Sequence, residues 1–260
     1  MSLTSGISLS HFNEMLRYER EMDKLRALAL WIIDHDQQSG QHSGKILPEA
    51  VPVSGESKQD LFNIIKHFSR EFAVDIEKNS RITDQKIDHF RSAIFTLNAR
   101  LGITQNAIDL AHETQLYKNS GFWEMRWYLG QFPDMGSQVL EDGIDQVVCA
   151  GISGCVVGEY LGLMIEEKRT RAIPVDHMIF RRENLIPVQG VLPQNFQFHG
   201  NHILLVEDAV EESRTLWVMM QMLGETREGL NFSLLALDIE DNPETRKSLE
   251  RVSKIYRFEE

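Results

Sequence analysis

From Gln146 onward the sequence alternates short apolar runs with amphipathic ones, and this rhythm restricts the fold more than any other feature. "QVVCAG" is a short apolar run closed by glycine. "GCVVGEYLGLMIEEKR" has helical spacing, with Val157, Leu161 and Met164 or Ile165 on the inner face. "RAIPVDHMIF", "HILLVED" and "NFSLLALDI" read as strands, "RTLWVMMQMLGE" as a helix between the last two, and the tail "SLERVSKIYRF" ends in an edge strand. Strands separated by helices predict a largely parallel α/β sheet. The expected strands are about 146–150, 171–180, 203–206 and 232–238. In such sheets ligands sit outside the carboxyl ends of the strands. "AGISG" and "EDAVEES" both fall at such ends, so they face one crevice. The stretch "ENLIPVQGVLPQNFQFHGN" has Gly, Pro and Asn without a period, and is expected to overhang that crevice as a mobile loop or a hairpin leaning away from the core.

The first half has a different period. Met15, Tyr18, Met22, Leu25, Ala29 and Ile32 fall three and four apart, on one stripe of a helix. Such a stripe suits pairing of two chains as a homodimer, or packing on its own domain, and its few heptads favour the second. "DQQSGQHSGK" and "PEAVPVSGES" read as a linker or loop. His35, Asp36 and His42 lie in it without the fixed spacing a metal site needs. Ser57 opens "SKQD", a capping-box-like helix start, followed by Leu61, Ile64, Ile65, Phe68, Phe72 and Ile76 on one face. Thr83 or Asp84 opens a further helix with Ile87, Phe90, Ile94, Leu97 and Leu101 inside and Gly102 as its stop. Thr104 caps another that ends near Gly121. Phe122, Trp123, Trp127, Tyr128 and Phe132 form an aromatic cluster, suited to a core or an interdomain seam rather than to base stacking. The expected division is a helical N-terminal domain over residues 1–132 and an α/β domain over residues 133–260.

Composition narrows the function classes. With 260 residues, 42% hydrophobic and 25% charged, the chain can bury a core without disulfides or structural metal. Two cysteines, Cys149 and Cys155, indicate a reducing compartment rather than a disulfide scaffold. A net charge of -12 argues against nucleic acid as a partner of the whole surface. No apolar run approaches the roughly 20 residues of a membrane span, and "MSLTSGISLS" lacks the basic and apolar regions of a signal peptide. The expectation is a soluble cytoplasmic protein.

The densest chemistry lies in "ILLVEDAVEESRT", residues 203–215, where Glu207, Asp208, Glu211 and Glu212 follow a buried strand. A response-regulator receiver domain also opens on such a strand. Fewer than 60 residues remain after Ile203, which is too short for one. From Ile144 to the C-terminus the chain resembles the type I phosphoribosyltransferase family in the order of four pieces. "VVCAGISGCVVGEYLG" resembles the first strand, pyrophosphate loop and helix; "IPVDHMIFRRE" the second strand with basic residues at its exit. "NLIPVQGVLPQNFQFHGN" takes the place of the mobile catalytic loop, and "HILLVEDAVEESRT" that of the phosphoribosyl-diphosphate signature.

The resemblance implies a site. Glu207 and Asp208 would accept hydrogen bonds from the ribose hydroxyls, directly or through Mg2+-bound water. Ser153 and Gly154 would hold the pyrophosphate and Arg181 or Arg182 its departing charge. Glu211 would accept a proton near the base. Glu212, Ser213, Arg214 and Thr215 would form the phosphate loop and the helix start behind it. Purine-salvage members read approximately "EDIIDTGKT" where this chain reads "EDAVEESRT". Glu212 thus replaces a phosphate-binding Thr and Ser213 a Gly. A carboxylate about 5 Å from a phosphate charge repels it by roughly 3 kcal/mol at an effective dielectric of 20. Losing glycine is expected to remove access to left-handed backbone. Acids before a helix also have an ordinary role, stabilising its N-terminus by about 0.3–1 kcal/mol. The implied function is binding of a ribose-phosphate or nucleotide ligand with altered or lost transferase activity. The alternatives are an active nucleobase phosphoribosyltransferase, which is a glycosyltransferase using phosphoribosyl diphosphate, and a non-catalytic regulatory or interaction protein.

Overall fold

The structure is a computed structural model, and it describes residues 55–79, 82–101, 125, 128–151, 153–168, 172–183, 186–210 and 213–258. The stripe from Met15 to Ile32, the loop with His35, Asp36 and His42, Gly102, the helix expected from Thr104, the residues Phe122, Trp123 and Trp127, and the acids Glu211 and Glu212 lie outside the described residues.

Two helices come first. α1 (Gly55–Asn79) begins two residues before the expected Ser57. Its apolar positions Leu61, Ile65, Phe68, Phe72 and Ile76 are all buried, as the spacing predicts. α2 (Asp84–Leu101) starts where Thr83 O accepts from the amides of Lys86 and Ile87. The Thr83 side chain does not cap this helix. It donates at 2.6 Å to Asp75 of α1, which also accepts the Thr83 amide at 2.7 Å. That carboxylate thereby fixes the turn between the two helices, whose faces meet through Phe68, Phe72 and Phe90.

A 3-10 turn at Leu129–Gln131 leads into α3 (Phe132–Glu141), then β1 (Gln146–Ala150), α4 (Ser153–Lys168), β2 (Val175–Glu183) and β3 (Ile186–Val191). β4 (His202–Val210), α5 (Arg214–Thr226), β5 (Asn231–Ile239), α6 (Pro243–Leu249) and β6 (Lys254–Tyr256) complete the order. The strands form one six-stranded sheet in the order β3-β2-β1-β4-β5-β6. All neighbours are parallel except β2 and β3. The four expected strands therefore share one largely parallel sheet, and the tail supplies the expected edge strand.

Both sheet faces are covered, which is why β1 is buried at all five positions. Alternation sorts the side chains. Val147, Cys149, Leu204, Val206 and Leu235 face α4 in one apolar cluster that also takes in α1, α2 and α3. Val148, Ala150, Ile203, Leu205, Leu234 and Ala236 face α5 in the other. α4 buries Val157, Leu161 and both Met164 and Ile165. α5 buries Leu216, Val218, Met219, Met220 and Leu223, at about 1.5–3 kcal/mol for each large side chain. Phe132 meets Tyr160 edge-on at 5.0 Å, and Phe258 lies against both Tyr128 and Phe132. These aromatics join α3, α4 and the tail, so their use is packing.

The long stretch after β2 begins as a hairpin, one of the two expected forms. It is not a free overhang. Ile186–Val191 pairs antiparallel with β2 and extends the sheet at its edge, where Pro187 is tolerated because an edge strand can forgo a donor. Beyond it the chain is pinned. The Gln146 side chain donates to Gln197 O at 3.0 Å and accepts from the His199 amide at 3.1 Å. Asp145 accepts from the amides of Asn201 and His202. Phe196 and Phe198 pack against the α5-side cluster. Both cysteines are free and buried. No helix among the described residues is long and apolar enough to cross a membrane.

Candidate functional site at the strand ends

Small residues let the segments converge. At Gly151, just past β1, a Cβ would lie 3.0 Å from the Phe180 ring and 3.3 Å from Met178 O. At Gly154, in the first turn of α4, a Cβ would lie 2.7 Å from Val206 O and 3.3 Å from Glu207 Cα. Any side chain there would force α4 off β4. The expected pyrophosphate loop therefore sits directly against the expected ribose acids, and Ser153 opens α4 beside them.

Glu207 and Asp208 are not in a loop after the strand. They lie inside β4, which runs on to Val210, and are only 8% and 7% exposed. Glu207 pairs in register with Ala236 and falls in step with Ile203 and Leu205, the residues that face α5. Burying two neighbouring carboxylates is costly unless something offsets their charge, so their place at a strand end next to a helix start is itself informative. Among the described residues no group of three His, Cys, Asp or Glu could hold a metal on its own. Two carboxylates suit Mg2+ when a ligand's oxygens complete the shell.

Ser213 precedes α5 with φ 56° and ψ 5°. This corrects the expectation that replacing glycine removes left-handed backbone here. Among the described residues Ser213 is the only non-glycine with positive φ, at a cost of about 1–2 kcal/mol for an L-residue. The packing of β4 and α5 dictates the turn, and the residue conforms. Its carbonyl accepts from the Trp217 amide at 2.8 Å. Its hydroxyl does not cap the helix, is buried with a residue exposure of 4%, and has no hydrogen-bond partner. Arg214 is exposed and Thr215 half-buried in the first turn of α5.

Arg181 and Arg182 lie in β2 beyond Met178, the register partner of Ala150, so they are past the end of β1. A β-bulge falls between them opposite β3. The structure thus brings Gly154, Glu207, Asp208 and Ser213 to one end of the sheet, with the backbone of Ser153, Arg181 and Arg182 at the same end. Asp238, opposite Ala209 in β5, joins them there. The strand-end acid in "LLALDI" was the available signal for it.

A second polar group was not foreseen. His177 Nε2 lies 3.0 Å from Glu159 Oε1, with the two residues 2% and 3% exposed. It sits under α4 in the sheet interior, away from the strand ends. Burial pushes Glu159 up to about 7, against the opposing pull of Arg70 and Lys66. Burial, with Lys66 adding to it, pushes His177 down to about 3. The sequence signal was Glu159 inside one apolar run and the pair Asp176–His177 inside another.

No protein-family model and no curated protein sequence matches the chain. Among solved structures, it is similar to a purine phosphoribosyltransferase from Pyrococcus horikoshii Ot3, at 14% identity over 54% of this chain and 86% of that one, with a TM-score of 0.34. It is also similar to two crystal forms of a hypoxanthine phosphoribosyltransferase from Staphylococcus aureus. The tetragonal form shares 16% identity over 50% of this chain and 71% of that one, with a TM-score of 0.34. The orthorhombic form shares 17% over 50% and 73%, with a TM-score of 0.33.

Proposed function

We propose that the C-terminal half binds a ribose-phosphate ligand, phosphoribosyl diphosphate or a nucleotide, at the carboxyl ends of β1, β2 and β4, with transferase chemistry altered or lost. The observation that carries this reading is Ser213. A strained left-handed serine stands where the resembled family uses glycine, with its hydroxyl buried and unmatched at the mouth of a helix. Strain of this kind collects at ligand sites, and helix N-termini favour anions.

In this reading the amides around Ser213 and the first turn of α5, with Arg214 and Thr215, face the 5-phosphate. Glu207 and Asp208 accept from the ribose hydroxyls. Ser153 and Gly154 face the pyrophosphate, and Arg181 or Arg182 its charge. Glu207 and Asp208 would hold Mg2+, which would supply charge neutralisation for the pyrophosphate. If transfer occurs, the bond from the anomeric carbon to pyrophosphate breaks with oxocarbenium character. A bond to a base nitrogen forms, and Glu211 takes that nitrogen's proton. A cytoplasmic location belongs to the same proposal.

Glu212 favours lost rather than retained transfer, because a carboxylate in place of the family's Thr repels a phosphate. Calorimetric titration with phosphoribosyl diphosphate and Mg2+ tests this. The wild type should bind weakly, and E212T/S213G at least tenfold more tightly, a gain of about 1.4 kcal/mol. D208N should abolish binding in that background. Tight wild-type binding with base-dependent pyrophosphate release would establish an active transferase instead. A double variant without gain would mean that the loop does not receive phosphate.

A further inference from the structure

The pair Glu159–His177 lies where α1 closes over α4 and β2. Glu159 is on α4 and His177 on β2. From α1, Lys66 donates to Val175 O at 3.0 Å and Arg70 donates to Glu159 O at 3.4 Å. The Arg70 guanidinium is engaged by Glu166 of α4, and lies 3.6 Å from Glu159 Oε2. The other groups near the pair are Asp176 on β2, Cys149 on β1 and Cys155 on α4. Cys149 is the register neighbour of His177.

Burial disfavours the charged form of both partners, but in opposite senses. A carboxylate must gain a proton to become neutral, and an imidazolium must lose one. The same closure buries both, and they touch. Arg70 directs its guanidinium at Glu166, and its contact with Glu159 Oε2 is longer, which suits an uncharged Glu159. His177 Nδ1 is buried with no hydrogen-bond partner, so an N–H there is unmatched in either form, and this costs more for a charged imidazolium than for a neutral ring.

We infer that Glu159 and His177 form a proton-compensated joint: when α1 closes over them, the proton His177 sheds is the one Glu159 takes up, so closure exchanges no proton with solvent. The folded pair then holds one proton, as a Glu159 hydroxyl donating to Nε2 with the ring proton on Nδ1. The open chain also holds one wherever His177 is charged and Glu159 ionised. With ordinary values of 4.5 and 6.5, that window is pH 4.5 to 6.5.

Each partner alone would make folding pH-dependent, with opposite sign. Glu159 has a raised folded value, so its stabilisation is present below 4.5 and is lost as pH rises towards 7. His177 has a depressed one, so its charged form opposes folding at low pH, and stability grows as pH rises from 3 to 6.5. An uncompensated proton changes the unfolding equilibrium about tenfold per pH unit.

The test is urea unfolding of the full chain between pH 4.5 and 6.5, for wild type, E159Q, H177Q and E159Q/H177Q. The double variant supplies the background from every other titrating group. Wild type should parallel it within threefold per pH unit. E159Q should gain about tenfold per unit as pH rises, and H177Q should lose about tenfold. A wild type as steep as either single variant, or single variants without opposite slopes, would overturn the joint. Should the variants not fold, the nitrogen-15 shifts of the wild-type His177 ring decide. The ring should stay neutral with its proton on Nδ1 from pH 5 to 6.5. An imidazolium, or a proton on Nε2, would overturn it.

Discussion

Ser213 shows how a single position can keep a geometry after losing the residue suited to it. Glycine there relieves about 1–2 kcal/mol of backbone strain and removes a buried unmatched hydroxyl. The flexible glycine gives back about 0.4–1 kcal/mol through the unfolded chain. S213G should therefore raise stability by about 1 kcal/mol, read as a higher urea midpoint at unchanged slope. S213A keeps the strain but removes the same unmatched hydroxyl, so it should raise the midpoint by less than S213G does. The acids Glu207 and Asp208 were legible in the sequence because two adjacent carboxylates directly after an apolar run are unusual, although the strand runs past them to Val210. The conformation of Ser213 was not, because local propensity argued against it and tertiary packing imposed it. Glu159 and His177 were missed for a related reason: they are 18 residues apart in different apolar runs, and only the fold sets them 3.0 Å apart.

At the scale of elements, the strands and helices after Gln146 were legible because short continuous apolar runs alternate with runs of helical period. β3 was not. Its Pro and Gly read as loop signals, and an edge strand can carry both. The close seating of α4 on β1 depends on another glycine. A Cβ at Gly158 would lie 2.1 Å from Cys149 Sγ. G158A gains about 1 kcal/mol of helix propensity but overpacks a dry interface, which costs typically 1–3 kcal/mol and occasionally more. A net loss of about 1–2 kcal/mol in thermal unfolding is expected. C149A in the same chain removes the obstructing sulfur and should recover most of it. An equally destabilised double variant would show that the backbone, not Cys149, limits the approach. The segment from Pro193 to Asn201 offers a separate check. Its amides at His199 and Asn201 are held by Gln146 and Asp145, so their hydrogen exchange should be slow. Q146A should speed exchange at His199 at least tenfold.

For the whole molecule, α1 and α2 share one apolar cluster with α3, α4 and the sheet. Phe72, fully enclosed in it, belongs by sequence to the helical half. Phe72→Ala should cost about 3–5 kcal/mol, and near-ultraviolet circular dichroism and helix-specific exchange should lose structure in one transition. Two separated transitions would mean that the halves fold independently. The edge strands have a further consequence for this molecule's dealings with its own copies. β3 carries Pro187, which offers no amide, and a bulge interrupts its pairing with β2. β6, at the opposite border, is three residues long and begins with Lys254, which is tied to Asp142. Neither border offers the long, flat ladder that lets one chain template the next. Among the described residues, the two borders thereby disfavour growth of the sheet from one copy to the next. Replacing Pro187 with Val would reopen one border, and thioflavin-positive aggregates on mild heating are the expected sign.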